Sequence, residues 1–349
     1  MPHPNRNHSL SCESMKTIKT LLIILTLISA TTWGVCALYF GNSHTDLIQT
    51  LLAAGFGFSG LLTIITWLNP IWRNRLLLTH SILFIAVLYT WLNIHPSNER
   101  NWQTDVERLP YAIFQDNIVT VHNIRNFDYN SEFDYTPAYY TKTFDLNKLE
   151  GVDLFAVYWM GPAIAHTILS FNFGAGNHLA VSIEARKEKD EGYSTIKGFF
   201  RQYELIYIVA DERDIIRLRT NFRQNPEEQV YLYSLTGAPG DPKRLFMDYF
   251  KDINNLNQNP AFYNTLTENC TTTIWMHARV NPDNVPFSWK ILLSGYAPEY
   301  LYENGRIDQN IPFSDLKKLA YINDKAIKAN TAADFPSRIR LPLSRQDQP

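Results

Sequence analysis

The sequence predicts a three-helix transmembrane N-terminal region followed by an α+β soluble domain. Three observations carry this reading. Three long apolar runs fill the first part of the chain, strand-like alternation dominates the middle, and helical stripes dominate the end. Strands first and helices after is the order of an α+β domain. A net charge of −2 leaves no basic field, so nucleic acid is not an expected partner. Cys12, Cys36 and Cys270 are too sparse for a disulfide framework.

Residues 1–16 are polar and read as a cytoplasmic tail without regular structure, and 17–94 as the three spans. The apolar runs cover 20–40, 47–68 and 76–94, each near the ~20 residues that cross ~30 Å of hydrocarbon. A cleaved signal peptide competes for the first run. Its length, the lack of a clear cleavage site and the two runs that follow argue against that. Lys16 and Lys19 precede the first run, Arg73 and Arg75 separate the second and third, and the loop 41–46 carries no Lys or Arg. This pattern places the N-terminus in the cytoplasm and everything after about His95 outside. Trp67, Trp72, Tyr89 and Trp91 fall where an aromatic belt would. In the second run Ala53/Gly57 and Gly55/Ser59 are small residues four apart, which lets helices approach closely. A self-packing anchor is expected, with a lipid-access groove as the alternative. His80 has no evident partner and reads as structural; His44 lies just outside the first span.

Residues 95–108 read as a linker, 109–330 as the soluble domain and 331–349, with three prolines, as an extended tail. Strands are expected over 156–160, 165–173, 178–186, 203–210 and 229–235, all rich in β-branched or aromatic residues. Asp241-Pro242 opens a helix whose apolar stripe is Leu245, Phe246, Tyr249, Phe250 and Ile253. A second helix begins near Cys270, and Ser314 caps a third through 315–328.

Cys270 is the only cysteine of the soluble domain, between a polar turn and an apolar run. A thiol at a helix N-terminus sits at the positive end of the dipole, which favours thiolate. An inert buried thiol is the competing reading, since cysteine is often fully buried. A disulfide to Cys36 is a further alternative. His122, His166, His178 and His277 could serve as its base. His277, seven residues on, is about two turns or ~10 Å away along the same helix and cannot reach the thiol. His178 borders the turn 174–177, His122 follows Val119-Thr120-Val121, and His166 lies within a strand, which is a rigid mount.

Strand register favours His166. Leu169, Phe171 and Phe173 form the apolar face of one strand, and Leu179, Val181, Ile183 and Ala185 that of the next. Pairing apolar with apolar makes odd residues oppose odd ones. His166 then shares a face with Ser182 and Glu184. A carboxylate there would orient the imidazole and favour its charged form. The alternative is that Glu184 only pairs with Arg186. A simple four-residue loop at 174–177 would reverse the parity.

Several segments carry a resemblance. They are His166-Thr-Ile-Leu-Ser-Phe-Asn-Phe, Ser182-Ile-Glu184-Ala-Arg186, Gly198-Phe-Phe-Arg-Gln-Tyr-Glu204, Asp211-Glu-Arg-Asp-Ile-Ile-Arg-Leu-Arg219, and Tyr263-Asn-Thr-Leu-Thr-Glu-Asn-Cys270-Thr-Thr, joined by Arg125-Asn-Phe-Asp-Tyr129. Over about 120–280 the chain resembles the bacterial family of the Lnb N-terminal periplasmic domain, whose namesake is a lipoprotein N-acyltransferase. The order of strand histidine then helix cysteine is also similar to circularly permuted papain-like enzymes, with an antiparallel sheet and the cysteine on a helix N-terminus. The resemblance implies Cys270 and His166 as catalytic pair, with Glu184 at the conspicuous acidic position.

The chemistry so implied is two-step acyl transfer: thioester formation on Cys270 from a phospholipid donor, then attack by an amine such as a lipoprotein N-terminus. The Cys270 N–H and the Asn269 side chain are expected oxyanion donors, the latter against the alternative of a local turn bond, and Ser182 is a positioning residue. Arg125, Asp128, Tyr129 and Arg186 are expected at the substrate, Arg125 and Arg186 suiting a phosphate headgroup, against the alternative that most cations here are solvated or form internal ion pairs with Asp128, Glu188, Glu212 and Asp214. The aromatic run through Phe127, Tyr129, Phe133, Tyr135, Tyr139 and Tyr140 would cover the site or simply pack. A periplasmic cysteine peptidase or amidase using the same dyad, and a non-catalytic membrane-tethered binding domain, are the rival readings. No cofactor is expected, and no Cys/His cluster has metal-ligand spacing.

Overall fold

In a computed structural model of the chain, residues 6–41 and 46–340 are described. Residues 1–5, 42–45 and 341–349 lie outside the description, and with them His44, most of the 41–46 loop and the end of the expected tail. The chain divides into two units. One comprises the residues through Pro96 together with Ser194–Gln202; the other comprises Ser97–Tyr193 and the residues from Tyr203 onward.

The first unit is built on helices α1 (Arg6–Phe40), α2 (Asp46–Ile65) and α3 (Pro70–Leu92). Ser14–Phe40, Leu47–Leu68 and Pro70–Leu92 are long and apolar enough to cross a membrane. The three spans stand where expected, with two corrections at their ends. The supposed irregular tail is helical from Arg6, and α3 starts at Pro70 rather than 76. Asn69 accepts from the Ile71 N–H, and Pro70 fills a first-turn position whose N–H would have no partner.

Close packing in this unit uses part of the expected set of small residues, with Gly34 and Gly60 beside it. A Cβ on Gly60 would collide with Thr31, one on Gly34 would collide with Phe56, and one on Gly57 would press on Val35 at 3.2 Å. Gly55 faces open space, so Ala53/Gly57 lies on a packing face and Gly55 does not. His80 does have partners: Thr31 Oγ1 at 3.1 Å and Ser59 Oγ at 2.9 Å, with Phe56 stacked on the ring. These bonds pin α3 to α1 and α2, which gives the structural reading of His80 its physical content. Ser194–Gln202 adds Phe200, whose ring lies 6.0 Å from Phe40, and Arg201, 4.2 Å over Trp91.

The second unit begins with β1 (Tyr111–Gln115), β2 (Ile118–Arg125), the small pair β3 (Asp128–Tyr129) and β4 (Tyr135–Thr136), and β5 (Tyr139–Asp145). β6 (Gly151–Tyr158), β7 (Ala165–Asn172), β8 (His178–Arg186) and β9 (Glu204–Ala210) follow. Next come α4 (Glu212–Arg217), a π-helical turn (Leu218–Phe222), β10 (Gln229–Leu235), α5 (Asp241–Gln258) and α6 (Cys270–Ala278). The chain closes with α7 (Trp289–Leu292), α8 (Ala297–Glu303), α9 (Phe313–Ala320), α10 (Asn323–Lys328) and α11 (Phe335–Arg338). The main sheet has the order β1-β2-β9-β8-β7-β6-β10, with β5 also on β2. Every ladder is antiparallel except a single β2–β9 rung, Arg125↔Ala210. β1, β2 and β5 were not anticipated; they extend the sheet beyond the five expected strands.

Both faces of the sheet are buried. The stripe of α5 packs against Leu169, Phe171, Val181 and Ile183 on one face, and Cys270 belongs to that cluster. On the other face Ile168, Ala180 and Ile206 meet Ile215 and Ile216 of α4, Ala326 of α10 and Phe335 of α11. The pairs Leu169↔Val181 and Ile168↔Ser182 confirm the odd-to-odd register. The connection is a five-residue turn from Phe173 to Asn177, closed by the Phe173 N–H on the Asn177 carbonyl, which resolves the parity conflict.

Three boundaries are corrected. From Ser97 the expected linker is part of this unit: Trp102 and Val106 are buried, and the Arg186 guanidinium lies 4.2 Å over the Trp102 ring. The expected helix over 315–328 is two helices broken at Tyr321, which instead makes a bridge to Tyr231. The tail is packed through Arg340: Phe335 and Ile339 are fully buried, and Arg340 holds Asp153 and Glu212 at 2.7 Å.

Candidate active site

The site lies where the sheet parts. The β7–β8 ladder ends at Ile168↔Ser182. Each strand nevertheless continues along its outer neighbour, β7 to Tyr158↔Ala165 on β6 and β8 to Arg186↔Glu204 on β9. Carrying the β7–β8 register on would set His166 opposite Glu184. Instead the gap between these strands is where α6 brings Cys270.

Asn269 makes α6 begin at the cysteine. Its Oδ1 accepts from the Thr271 and Thr272 N–H groups, and the Thr272 hydroxyl accepts from the Asn269 N–H, a reciprocal cap. The Asn269 amide donates to the Thr265 carbonyl. Both ends of this side chain thus bond within the turn, as in the alternative reading of Asn269. The Cys270 N–H, at the first helical position, has no acceptor among the described residues, whereas those of Thr271, Thr272 and Thr273 do.

His166 Nε2 lies 2.7 Å from Ser182 Oγ and 3.0 Å from Glu184 Oε1. The Ser182 hydroxyl donates to the same carboxylate oxygen at 2.7 Å. With Nε2 turned to the carboxylate, Nδ1 is the nitrogen left for the side of Cys270, and His166 and Cys270 each favour the charged form of the other. Arg219, from the π-helical turn, donates to Glu184 at 3.0 Å and reaches Glu228 at 3.3 Å. The structure thus brings Cys270, His166, Ser182 and Glu184 together, and adds Arg219 as the far anchor of the chain.

The electrostatics follow from these contacts. Burial would push the His166 imidazolium down, but the Glu184 carboxylate and the Cys270 sulfur outweigh it and raise the group to about 9. Burial would push the Cys270 thiol up. The charge of His166, with the Thr167 N–H and hydroxyl, outweighs that and lowers it to about 7. Burial also opposes ionisation of Glu184, yet His166, Arg219 and Ser182 hold it well below the usual carboxylate range. Between about 7 and about 9 the pair is imidazolium and thiolate.

The donation from Thr167 is a product of the parted strands, because a residue no longer paired to β8 can turn its N–H to the sulfur. The Thr167 and Thr271 hydroxyls are joined at 2.9 Å, and Thr271 Oγ1 lies 3.8 Å from the sulfur. Sequence reasoning missed both threonines. The signal was the Asn-Cys-Thr-Thr run at a helix start, read for its first two residues only.

The expected substrate residues have internal partners instead. Arg125 makes a two-pronged contact with Asp214 at 2.8 and 3.0 Å and donates to the Asp105 carbonyl. The Tyr129 hydroxyl donates to the same Asp214 at 3.0 Å. Arg186 is buried on Trp102 and donates to the Val106 and Glu107 carbonyls and to Asn98. Asp128 is exposed and accepts from Arg217 at 2.7 Å. In the structure these four make ion pairs and hydrogen bonds within the protein. Within the aromatic run, Phe127, Tyr129, Tyr135 and Tyr139 pack against one another.

The other histidines are placed apart. His122 stacks on Tyr111, and His178 opens β8 at the hairpin end. His277 lies between Asp248 Oδ2 at 2.7 Å and the Tyr207 hydroxyl at 2.6 Å, fastening α6 to α5 and β9. Replacing His277 by leucine strands the buried Tyr207 hydroxyl and is expected to cost about 1–3 kcal/mol. Chemical denaturation should register the loss, while the pH dependence of Cys270 alkylation stays as it was.

An α+β domain that sets a buried cysteine and a buried histidine with a half-buried glutamate, on a polypeptide with three membrane-length helices, defines a class of membrane protein. Residues 135–295 match the family model of the Lnb N-terminal periplasmic domain. The matched segment holds β7, β8 and α6 with their site residues; α1–α3, β1, β2 and the Arg125–Tyr129 stretch lie before it. The match and the three membrane-length helices together support a membrane protein with a periplasmic domain. No curated protein and no solved structure matches the chain.

Proposed function

We propose that the protein is a cysteine-dependent acyltransferase of the bacterial inner membrane, with the N-terminus in the cytoplasm and the domain that carries Cys270 in the periplasm. The observation that carries this reading is the Cys270–His166–Glu184 chain, in which a buried thiol is lowered to about 7 by a histidine raised to about 9.

The Cys270 thiolate attacks an ester carbonyl of a phospholipid, forming the S–C bond and a tetrahedral oxyanion. The Cys270 N–H, left free by the cap, is positioned to stabilise that charge. Collapse breaks the ester C–O bond, and the His166 imidazolium gives its proton to the departing alkoxide. The neutral imidazole then takes a proton from an incoming amine, such as a lipoprotein N-terminus. The amine nitrogen bonds to the thioester carbonyl and the thiolate leaves. Glu184 holds the ring orientation through both steps, and Arg219 keeps the carboxylate ionised.

Incubating the purified full chain with phospholipid labelled in its acyl chains tests this. A hydroxylamine-sensitive label on the protein, passed on when an amine acceptor is added, is the expected result. Absence of any acyl-protein, with release of peptide fragments from a cell-wall or peptide substrate, would assign the same dyad to a hydrolase.

A further inference from the structure

Beside the sulfur the domain contains an apolar cavity of about 90 Å³. It begins at Thr167 and Thr271, the two residues whose hydroxyls flank Cys270. It runs between the sheet and α5, α6 and α8, past Leu169, Ile274, Trp275, Ile291, Ala297 and Leu301. At Ala278, Val285 and Leu301 it meets a second hollow of similar size that ends among Asp241, Asp283 and Arg306.

Of the polar side chains on the walls of the first cavity, all but Asn284 have a partner among the described residues. Thr167 and Thr271 bond to each other, Trp275 Nε1 donates to the Val285 carbonyl at 2.9 Å, and the Tyr300 hydroxyl donates to the Pro286 carbonyl at 2.9 Å. An enclosed water needs two to four polar partners, which Asn284 alone does not supply. A hydrocarbon needs none, and gains about fourfold in affinity for each methylene it buries. Beside the cavity, Phe287 and Trp289 are 55% and 56% exposed, and the Phe287 ring packs on Trp275. Large exposed apolar side chains next to an apolar hollow suit a ligand that arrives from lipid.

We propose that this cavity receives the acyl chain of the donor, with its carbonyl at Cys270 and its methyl end toward Ala278, so that the depth to Ala278 sets the preferred chain length. The assignment rests on the acyl-transfer reading for its carbonyl end, but occupancy can be read without any turnover.

The test uses the full chain with Cys270→Ala, in phospholipid nanodiscs, and fatty acids that carry a photoreactive diazirine at the methyl end. A sixteen-carbon probe is expected to label peptides within 271–301. Ala278→Phe, which fills the far end, should cut that labelling about tenfold and spare an eight-carbon probe. Leu301→Trp, from the opposite wall, should do the same and decides the matter if the first variant does not fold. Labelling confined to α1–α3, or equal with and without a correctly folded blocking variant, overturns the proposal. Labelling of 271–301 alongside a failure of wild-type protein to form any acyl-thioester would keep the cavity and remove the transfer reading; an acyl-thioester without that labelling would do the reverse.

Discussion

Cys270→Ala is expected to abolish transfer, lowering the rate on the order of 10⁴-fold or more, because a covalent step cannot be shared with another group. The loss should not reflect unfolding. Cys270 is buried in the cluster around α5, and removing one sulfur leaves a void of about methyl size, which costs about 1 kcal/mol. Mass spectrometry of the intact protein after exposure to phospholipid should find no acyl adduct on the variant. An adduct that persists, or an unchanged rate of transfer, would move the nucleophile elsewhere and end the case for this site.

Glu184→Gln should leave the nucleophile in place and change when it is active. For the native protein, the thiolate is present above about 7 and the imidazolium below about 9, so kcat/KM should be bell-shaped between those limbs. Removing the carboxylate withdraws the largest support for the imidazolium, so the histidine titrates lower and the descending limb moves to lower pH. A less stable imidazolium supports the thiolate less, so the ascending limb moves up. The active window narrows from both sides, and the rate at its centre should fall on the order of 10²-fold or more. Arg219 retains Glu228 as a partner, so no buried charge is orphaned. An unaltered pH profile would show that Glu184 serves only as a surface anchor for Arg219.

The parts of this site that depend on two-residue periodicity were legible before any coordinates. Alternation along 165–173 and 178–186 was enough to put His166, Ser182 and Glu184 on one face, because a register slip would have turned Leu169 and Val181 out of their core. The parts that depend on which distant group arrives were not. Nothing local tells Arg125 that it will meet Asp214, or His80 that it will lie between Thr31 and Ser59. Cationic side chains near a proposed site look alike as phosphate binders and as internal ion pairs, and only the three-dimensional partner separates the two. Asn269 is a different case. An asparagine before Cys-Thr-Thr carries its own capping chemistry, and the local bond proved stronger as a predictor than the catalytic one.

The open rungs between β7 and β8 have a consequence for when the thiol becomes reactive. The hairpin these strands form is local and closes early, whereas α6 is about a hundred residues away along the chain and arrives later. The Thr167 N–H, the His166 ring, the Glu184 carboxylate and the Arg219 fork come from three separate segments, and none of them perturbs Cys270 until all have assembled around it. A nascent or partly unfolded chain therefore carries a cysteine of ordinary acidity, far less nucleophilic at neutral pH than the folded one. Activation is a property of the completed fold, and the polypeptide is protected from its own chemistry on the way there.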